Sequence, residues 1–183
     1  FEATKQCPDF AIMAPHIQEE QNDHKNINKE KSFPILTNNV RGFAMFLNLS
    51  EFQAIGFFDE SFFIYFEEID LCKRLVDCNK KIYLVPSIKI NHKGGQSHNK
   101  SINKAMELSR NWHWMWSTFN YHRKYKGFLI SFIIILPKLS SAITKVLIYS
   151  LIFNKEKRKI YYQRLSGLIN AMMGKSSWYR PKV

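Results

Sequence analysis

Apolar positions fall into short runs over the first hundred residues and into helical periods beyond them. The first run, Phe10 to Ala14, is closed by Pro15 and reads as a short buried strand. From His16 to Ser32 the chain is almost wholly polar, which predicts a mobile loop. Apolar character returns at Val40 and continues past Gly42 to Leu49, after which Ser50 is placed to cap a short helix ending near Gly56.

Leu71 and Leu75 stand four apart, and Asp70 and Arg74 have the spacing of a helical ion pair, so a helix is predicted from Glu67 to Cys78. Ile82, Leu84, Ile88 and Ile90 predict a strand interrupted at Pro86, which delivers His92 into a loop holding Gly94 and Gly95. Residues 101–126 lack Gly and Pro, and Trp112, Trp116 and Phe119 recur at helical spacing, predicting a helix with an aromatic stripe that Gly127 ends. Residues 128–153 carry only Lys138 and Lys145 as charges, and Pro137 breaks the run. A clean membrane span needs roughly 20 uninterrupted apolar residues, which Pro137 beside Lys138 denies. The two lysines share one helical face while Leu136, Leu139, Ile143 and Leu147 share another, which predicts an amphipathic helix lying in a membrane interface.

Composition narrows the class. Of 183 residues 45% are hydrophobic and 15% aromatic, which excludes a wholly disordered chain, and 7 Gly with 6 Pro exclude collagen-like or low-complexity sequence. The length suits one domain with an appendage. The net charge of +12 is carried entirely by residues 121–183, where Glu156 is the lone acid, while residues 1–120 sum to zero. A balanced body with a basic, apolar tail implies chemistry in the body and an anionic partner for the tail, either a phospholipid surface or nucleic acid. Cys7, Cys72 and Cys78 match no zinc or redox spacing, so a reducing compartment is expected. No basic, apolar leader is visible in the chain as given.

Glu67, Glu68 and Asp70 place three carboxylates within four residues, directly after a run of aromatics. Crowding and partial burial raise carboxylate pKa values, as a general base working near neutral pH requires. Carboxylates at a helix start also serve as partners of the helix dipole, and His92 after a strand also suits an ordinary loop, so both roles stay open.

The stretch from Arg41 to Ser97 resembles the second half of a family 2 glycosyltransferase with the GT-A fold, of the bacterial rhamnosyltransferase-like kind used in surface polysaccharide synthesis. The matching pieces are RGFAMFL (Arg41 to Leu47), GFFDESFF (Gly56 to Phe63), YFEEIDLCKRL (Tyr65 to Leu75), Val85 with Pro86, and NHKGGQS (Asn91 to Ser97), in the family's order and at its spacing. The RNWHWMWS segment and the apolar, basic tail after it are similar to members of the same group. The resemblance implies an α/β fold. Residues 1–100 would form the C-terminal half of a GT-A, Rossmann-like catalytic domain, and residues 101–183 a helical extension associated with the membrane.

The activity implied is transfer of a sugar, with inversion, from a nucleotide-sugar donor to a hydroxyl of a glycan or lipid-linked acceptor at the cytoplasmic face of a bacterial membrane. Such a reaction needs a base for the hydroxyl proton and a divalent metal, Mg or Mn, for the diphosphate. By motif position the family's Glu-Asp pair falls on Glu67 and Glu68, which makes Glu68 the expected base. The added methylene of Glu over Asp moves the carboxylate by about 1 to 1.5 Å, so either the backbone compensates or Glu67 or Asp70 takes the role. Phe58, Asp59 and Glu60 are expected on the acceptor side, Phe58 as an apolar platform, although the same residues suit a turn before the helix. Arg41 and Gly42 are expected on the donor side, Gly42 allowing close approach of the sugar or simply of another packed group. His92 is the expected metal ligand, with His98 and the loop from Gly94 to Ser97 closing over the site, and Arg74 is expected to orient Asp70.

The family's nucleotide-binding half, with its Asp-x-Asp-like motif, is expected ahead of residue 1, and Asp9 is a lone acid that does not replace it. The resemblance therefore implies a C-terminal piece with little transferase activity in isolation, and an exposed sheet edge or apolar face where the other half docks. A competing reading is a non-catalytic basic module. In that reading Trp112, Trp114, Trp116, Tyr121 and Tyr125, interleaved with Arg110, Arg123, Lys124 and Lys126, stack on bases and meet phosphates. No nucleic-acid motif is recognisable, and residues 128–153 suit lipid better than RNA. A degenerate transferase that only docks a partner is the third.

Overall fold

The computed structural model describes residues 2–17, 33–91 and 102–181. The polar loop expected over most of residues 16–32, the expected ligand His92, Gly94, Gly95 and His98 all lie outside the described residues. The elements in chain order are α1 (Glu2–Gln6), β1 (Phe10–Ile17), β2 (Ile35–Thr37), β3 (Phe46–Leu47), a 3-10 turn (Leu49–Phe52), α2 (Glu67–Asp77), β4 (Lys81–Ile90), α3 (Asn103–Leu151) and α4 (Lys155–Met172). They form a mixed α/β arrangement in two compact units, one built on the sheet and α2, the other on α3, α4 and the segment Glu60–Phe66.

The sheet unit has strand order β2-β4-β1-β3. β1 and β4 run parallel at its centre, and β2 and β3 flank them antiparallel. A central parallel strand is covered on both faces, so its side chains are apolar without alternation, as Phe10 to Ala14 are here, all buried. Parallel neighbours need a crossover, and α2 lies in the connection from β1 to β4. Leu71, Cys72 and Leu75 of α2 join Ile12, Ala14, Phe52 and Ile82 in one core, while Phe10, Met13 and Val85 form a second with Ala3 of α1. β4 is continuous through Pro86, where the sequence predicted an interruption. The proline instead falls where the register slips, between Val85 opposite Pro15 and Lys89 opposite His16, so its missing N–H removes no ladder bond. Ser50 does not cap a helix: it sits inside the 3-10 turn, its hydroxyl on Asn48 at 2.9 Å, and Asn48 takes the cap position. Leu36 and Phe46, on the two edge strands, are exposed.

In the helical unit α3 bends at Gly127, which adopts φ 74°, ψ 174° as the sequence predicted for its end. The first half carries the aromatic stripe, and Trp112, Trp116 and Phe119 are buried with Ile135, Leu168 and Ala171. Burial removes Trp112 and Trp116 from any base-stacking platform and leaves Trp114 as the exposed indole. The second half runs through Pro137 to Leu151, because one proline forfeits a single backbone bond and the flanking turns hold the helix. Lys145 lies over the Tyr161 ring of α4 at 4.8 Å. Leu139 turns toward the core, so the exposed apolar stripe is Leu129, Ile133, Leu136, Ile143, Leu147 and Leu151. Among the described residues α3 is the one helix long and apolar enough to cross a membrane, and 17% of its most apolar stretch is buried.

α4 is capped by Asn154, whose side chain accepts from the Lys157 N–H at 3.1 Å. Its backbone closes on α3 at Gly167, where a Cβ would stand 2.3 Å from the Trp112 carbonyl oxygen. Gly167→Ala must push the helices apart and is expected to destabilise the helical unit by about 1–3 kcal/mol, read as a lowered denaturant midpoint. An unchanged midpoint would show that the two helices do not need that approach.

Candidate active site

The first turn of α2 carries Glu67, Glu68 and Asp70. Glu68 stands one turn before Cys72 and two before Leu75, the face turned to the core, and is therefore half-buried. Among the described residues the Oε2 atoms of both Glu67 and Glu68 are buried and have no hydrogen-bond partner. Burial pushes the Glu67 carboxyl above its ordinary value, with the charge of Glu68 adding to the rise against a backbone hydrogen bond that lowers it. The backbone immediately before them is unusual. Tyr65 and Phe66 both take positive φ, 67° and 72°, a conformation that costs a bulky residue about 1–2 kcal/mol. Strain of this kind collects where function requires a particular chain direction.

Gly42 is brought against Glu68. A Cβ at position 42 would lie 3.1 Å from the Glu68 Cβ and 3.7 Å from its carboxyl carbon. The close approach that the sequence assigned to a donor sugar is, within this chain, made by the Glu68 side chain. The neighbouring Arg41 is exposed.

Asp70 differs from the two glutamates. It is fully buried and accepts from Arg74 Nε at 2.9 Å. The same guanidinium donates to the carbonyls of Ile55 at 2.8 Å and Gly56 at 3.3 Å, and to that of Phe57. Arg74 does orient Asp70, and it also ties down the strand of chain leading to Phe58 and Asp59. Phe58 is 41% exposed, as an apolar platform needs to be, and Asp59 is half-buried. Glu60 belongs to the helical unit, where it lines a cleft with Arg123, Lys175 and Arg180.

Among the described residues no group of three or more His, Cys, Asp or Glu side chains gathers as a metal site. The expected metal ligand, His92, lies outside those residues. Cys7, Cys72 and Cys78 are unpaired, and burial raises the Cys72 thiol. The sequence offered Arg123 only as part of a basic, aromatic stretch; its convergence with Lys175 and Arg180 went unread because they lie more than 50 residues further along and the three follow no local period.

The chain is 32% identical over 80 residues, 44% of its own length, to the rhamnosyltransferase WbbL of Escherichia coli (strain K12). The matched part spans 28% of that protein. No protein-family model matches the chain, and no solved structure matches it. The similarity marks a glycosyltransferase-like region.

The Glu67 shift has a measurable consequence. As pH rises from the ordinary glutamate value of 4.5, the unfolded chain ionises before the folded one. The stability that Glu67 contributes is full below that value and lost as pH passes through the raised folded pKa. Glu67→Gln is expected to gain Tm on the parent as pH rises above 4.5. A difference that stays constant with pH would mean that Glu67 is not desolvated.

Proposed function

We propose that the chain contributes the catalytic base and acceptor side of an inverting glycosyltransferase with the GT-A fold. The observation that carries the reading is the pair of half-buried carboxylates with unpartnered oxygens at the start of α2, in a chain partly similar to a rhamnosyltransferase. Glu68 takes the proton of the acceptor hydroxyl as that oxygen attacks the anomeric carbon of a nucleotide-activated sugar, and the nucleoside diphosphate leaves on the opposite face. Gly42 leaves the space in which Glu68 lies. Arg74 holds Asp70 and the chain before Phe58 in place, so that Phe58 and Asp59 face the acceptor. A divalent cation on the diphosphate belongs to the same proposal, with His92 as the ligand this chain supplies.

Glu68→Gln, made in the protein as its host produces it, is expected to lower kcat for sugar transfer by about 100-fold or more with the donor still bound. Gly42→Ala displaces Glu68 and is expected to lower kcat less. Unchanged transfer in Glu68→Gln removes Glu68 as the base.

A second reading concerns the helical unit alone and is compatible with the first. The exposed stripe from Leu129 to Leu151 and the +12 charge of residues 121–183 fit an anionic phospholipid surface, with the apolar side chains entering the headgroup layer and the lysines and arginines at its level. Ile133→Asp with Leu147→Asp, both at exposed positions, is expected to abolish sedimentation with phosphatidylglycerol vesicles and to leave the fold intact by circular dichroism. Sedimentation undiminished in that variant would place the contact elsewhere.

A further inference from the structure

We propose that the cleft between Glu60–Ser61, the first half of α3 and the segment after α4 binds the phosphate of a phosphorylated, hydroxyl-bearing small molecule. It encloses about 350 Å³ and is lined by Arg123, Lys175 and Arg180, with Glu60, Ser177 and Trp116. Among the described residues none of the three cations forms an ion pair, with Glu60 or with any other carboxylate. Three cations against one acid leave the cleft positive, and a guanidinium presents its N–H groups in the fork that phosphate oxygens fit.

The cleft is held in shape independently of any ligand. Gly174, at φ 71°, turns the chain out of α4 and leaves the Arg123 guanidinium room, since a Cβ there would stand 3.4 Å from Arg123 Nη1. The Trp116 indole then donates to the Lys175 carbonyl at 3.0 Å. His113, fully buried, donates from Nε2 to the Tyr179 carbonyl at 2.7 Å and so accepts at Nδ1 from the Ser177 hydroxyl at 3.0 Å. Trp178 Nε1 donates to Asn170 at 3.1 Å, and the Tyr179 ring stacks on Trp112. Arg180 lies 3.6 Å over the Phe63 ring, with Nη1 on the Ser177 and Tyr179 carbonyls. The backbone at Lys175 and Tyr179 and the Ser177 side chain are thus fixed by buried indole and imidazole groups, which places the residues of this segment before an anion arrives.

Glu60 sets the second requirement. A carboxylate accepts hydrogen bonds and repels phosphate, so it suits a ligand that brings a hydroxyl with its anion, and Trp116 offers an aromatic wall. The site rests on the transferase reading only in making a sugar the natural bearer of that hydroxyl. The phosphate contacts stand without it.

Titration of the full chain with glucose 1-phosphate, pyrophosphate and glucose, followed by tryptophan fluorescence and calorimetry, tests this directly. Both phosphates are expected to bind and glucose is not. Arg123→Gln with Lys175→Gln, at exposed positions, is expected to weaken both phosphates by about tenfold or more without lowering Tm, while Lys159→Gln on α4 leaves them unchanged. Glu60→Gln removes a charge that repels phosphate, so it should tighten pyrophosphate and weaken glucose 1-phosphate relative to pyrophosphate. Phosphatidic acid vesicles identify the source: displacement by glucose 1-phosphate and loss in the double variant mean that a lipid headgroup uses the site. Vesicle binding that survives in the double variant assigns the cleft to soluble phosphates. Binding of neither phosphate, or equal binding by the double variant, overturns the proposal. Sugar transfer is not among the readouts, so either result leaves the role of Glu68 to its own test.

Discussion

Arg74 grips Asp70 and three successive carbonyls at once, and the surroundings of Glu67 and Glu68 depend on that grip. Asp70 is wholly excluded from solvent, and a buried carboxylate without a partner costs several kcal/mol. The guanidinium satisfies it and has N–H groups to spare for the 55–57 backbone, which has no regular structure to satisfy its own carbonyls. One side chain therefore couples the helix that carries the glutamates to the chain that leads to Phe58. Lysine, with a single compact ammonium, could not span the same set.

The two glutamates are in the opposite condition. Each keeps a buried oxygen without a partner, a state that lowers stability and that structure ordinarily avoids. Among the described residues, one turn of helix pairs one carboxylate with Arg74 and leaves one oxygen of each of the other two without a partner, next to a pair of aromatic residues in the left-handed region. Such local departures from the stable solution collect where function requires them.

The helical unit divides its apolar surface in two. Before Gly127 the apolar side chains face inward and build a core of indole rings. Beyond it Ile135 and Ala142 stay buried while Leu129, Ile133, Leu136, Ile143, Leu147 and Leu151 face outward along one stripe, and Lys145 is turned onto Tyr161. The first half also fixes the segment after α4, so the same aromatic core that stabilises the unit shapes its basic cleft.

Much of this was legible in the order of residues. The strand at Phe10, the helix from Glu67, the Asp70–Arg74 pair and the break at Gly127 follow from period, spacing and glycine stereochemistry, all of which act over a few residues. The carboxylate cluster was likewise visible as a cluster. Which of its members is paired was decided by tertiary structure, because the carbonyls of residues 55–57 anchor the Arg74 guanidinium that holds Asp70, while Gly42 packs against Glu68. The continuity of β4 through Pro86 and of α3 through Pro137 was also decided there, since neighbouring elements or flanking turns supply what a proline removes. The cleft formed by Arg123, Lys175 and Arg180 has no trace in local pattern, because its charges converge only when α4 returns along α3 and Gly174 releases the chain toward them. Local sequence determines which segments become helix or strand and which faces are apolar; burial and pairing of individual polar groups are properties of what meets them in space.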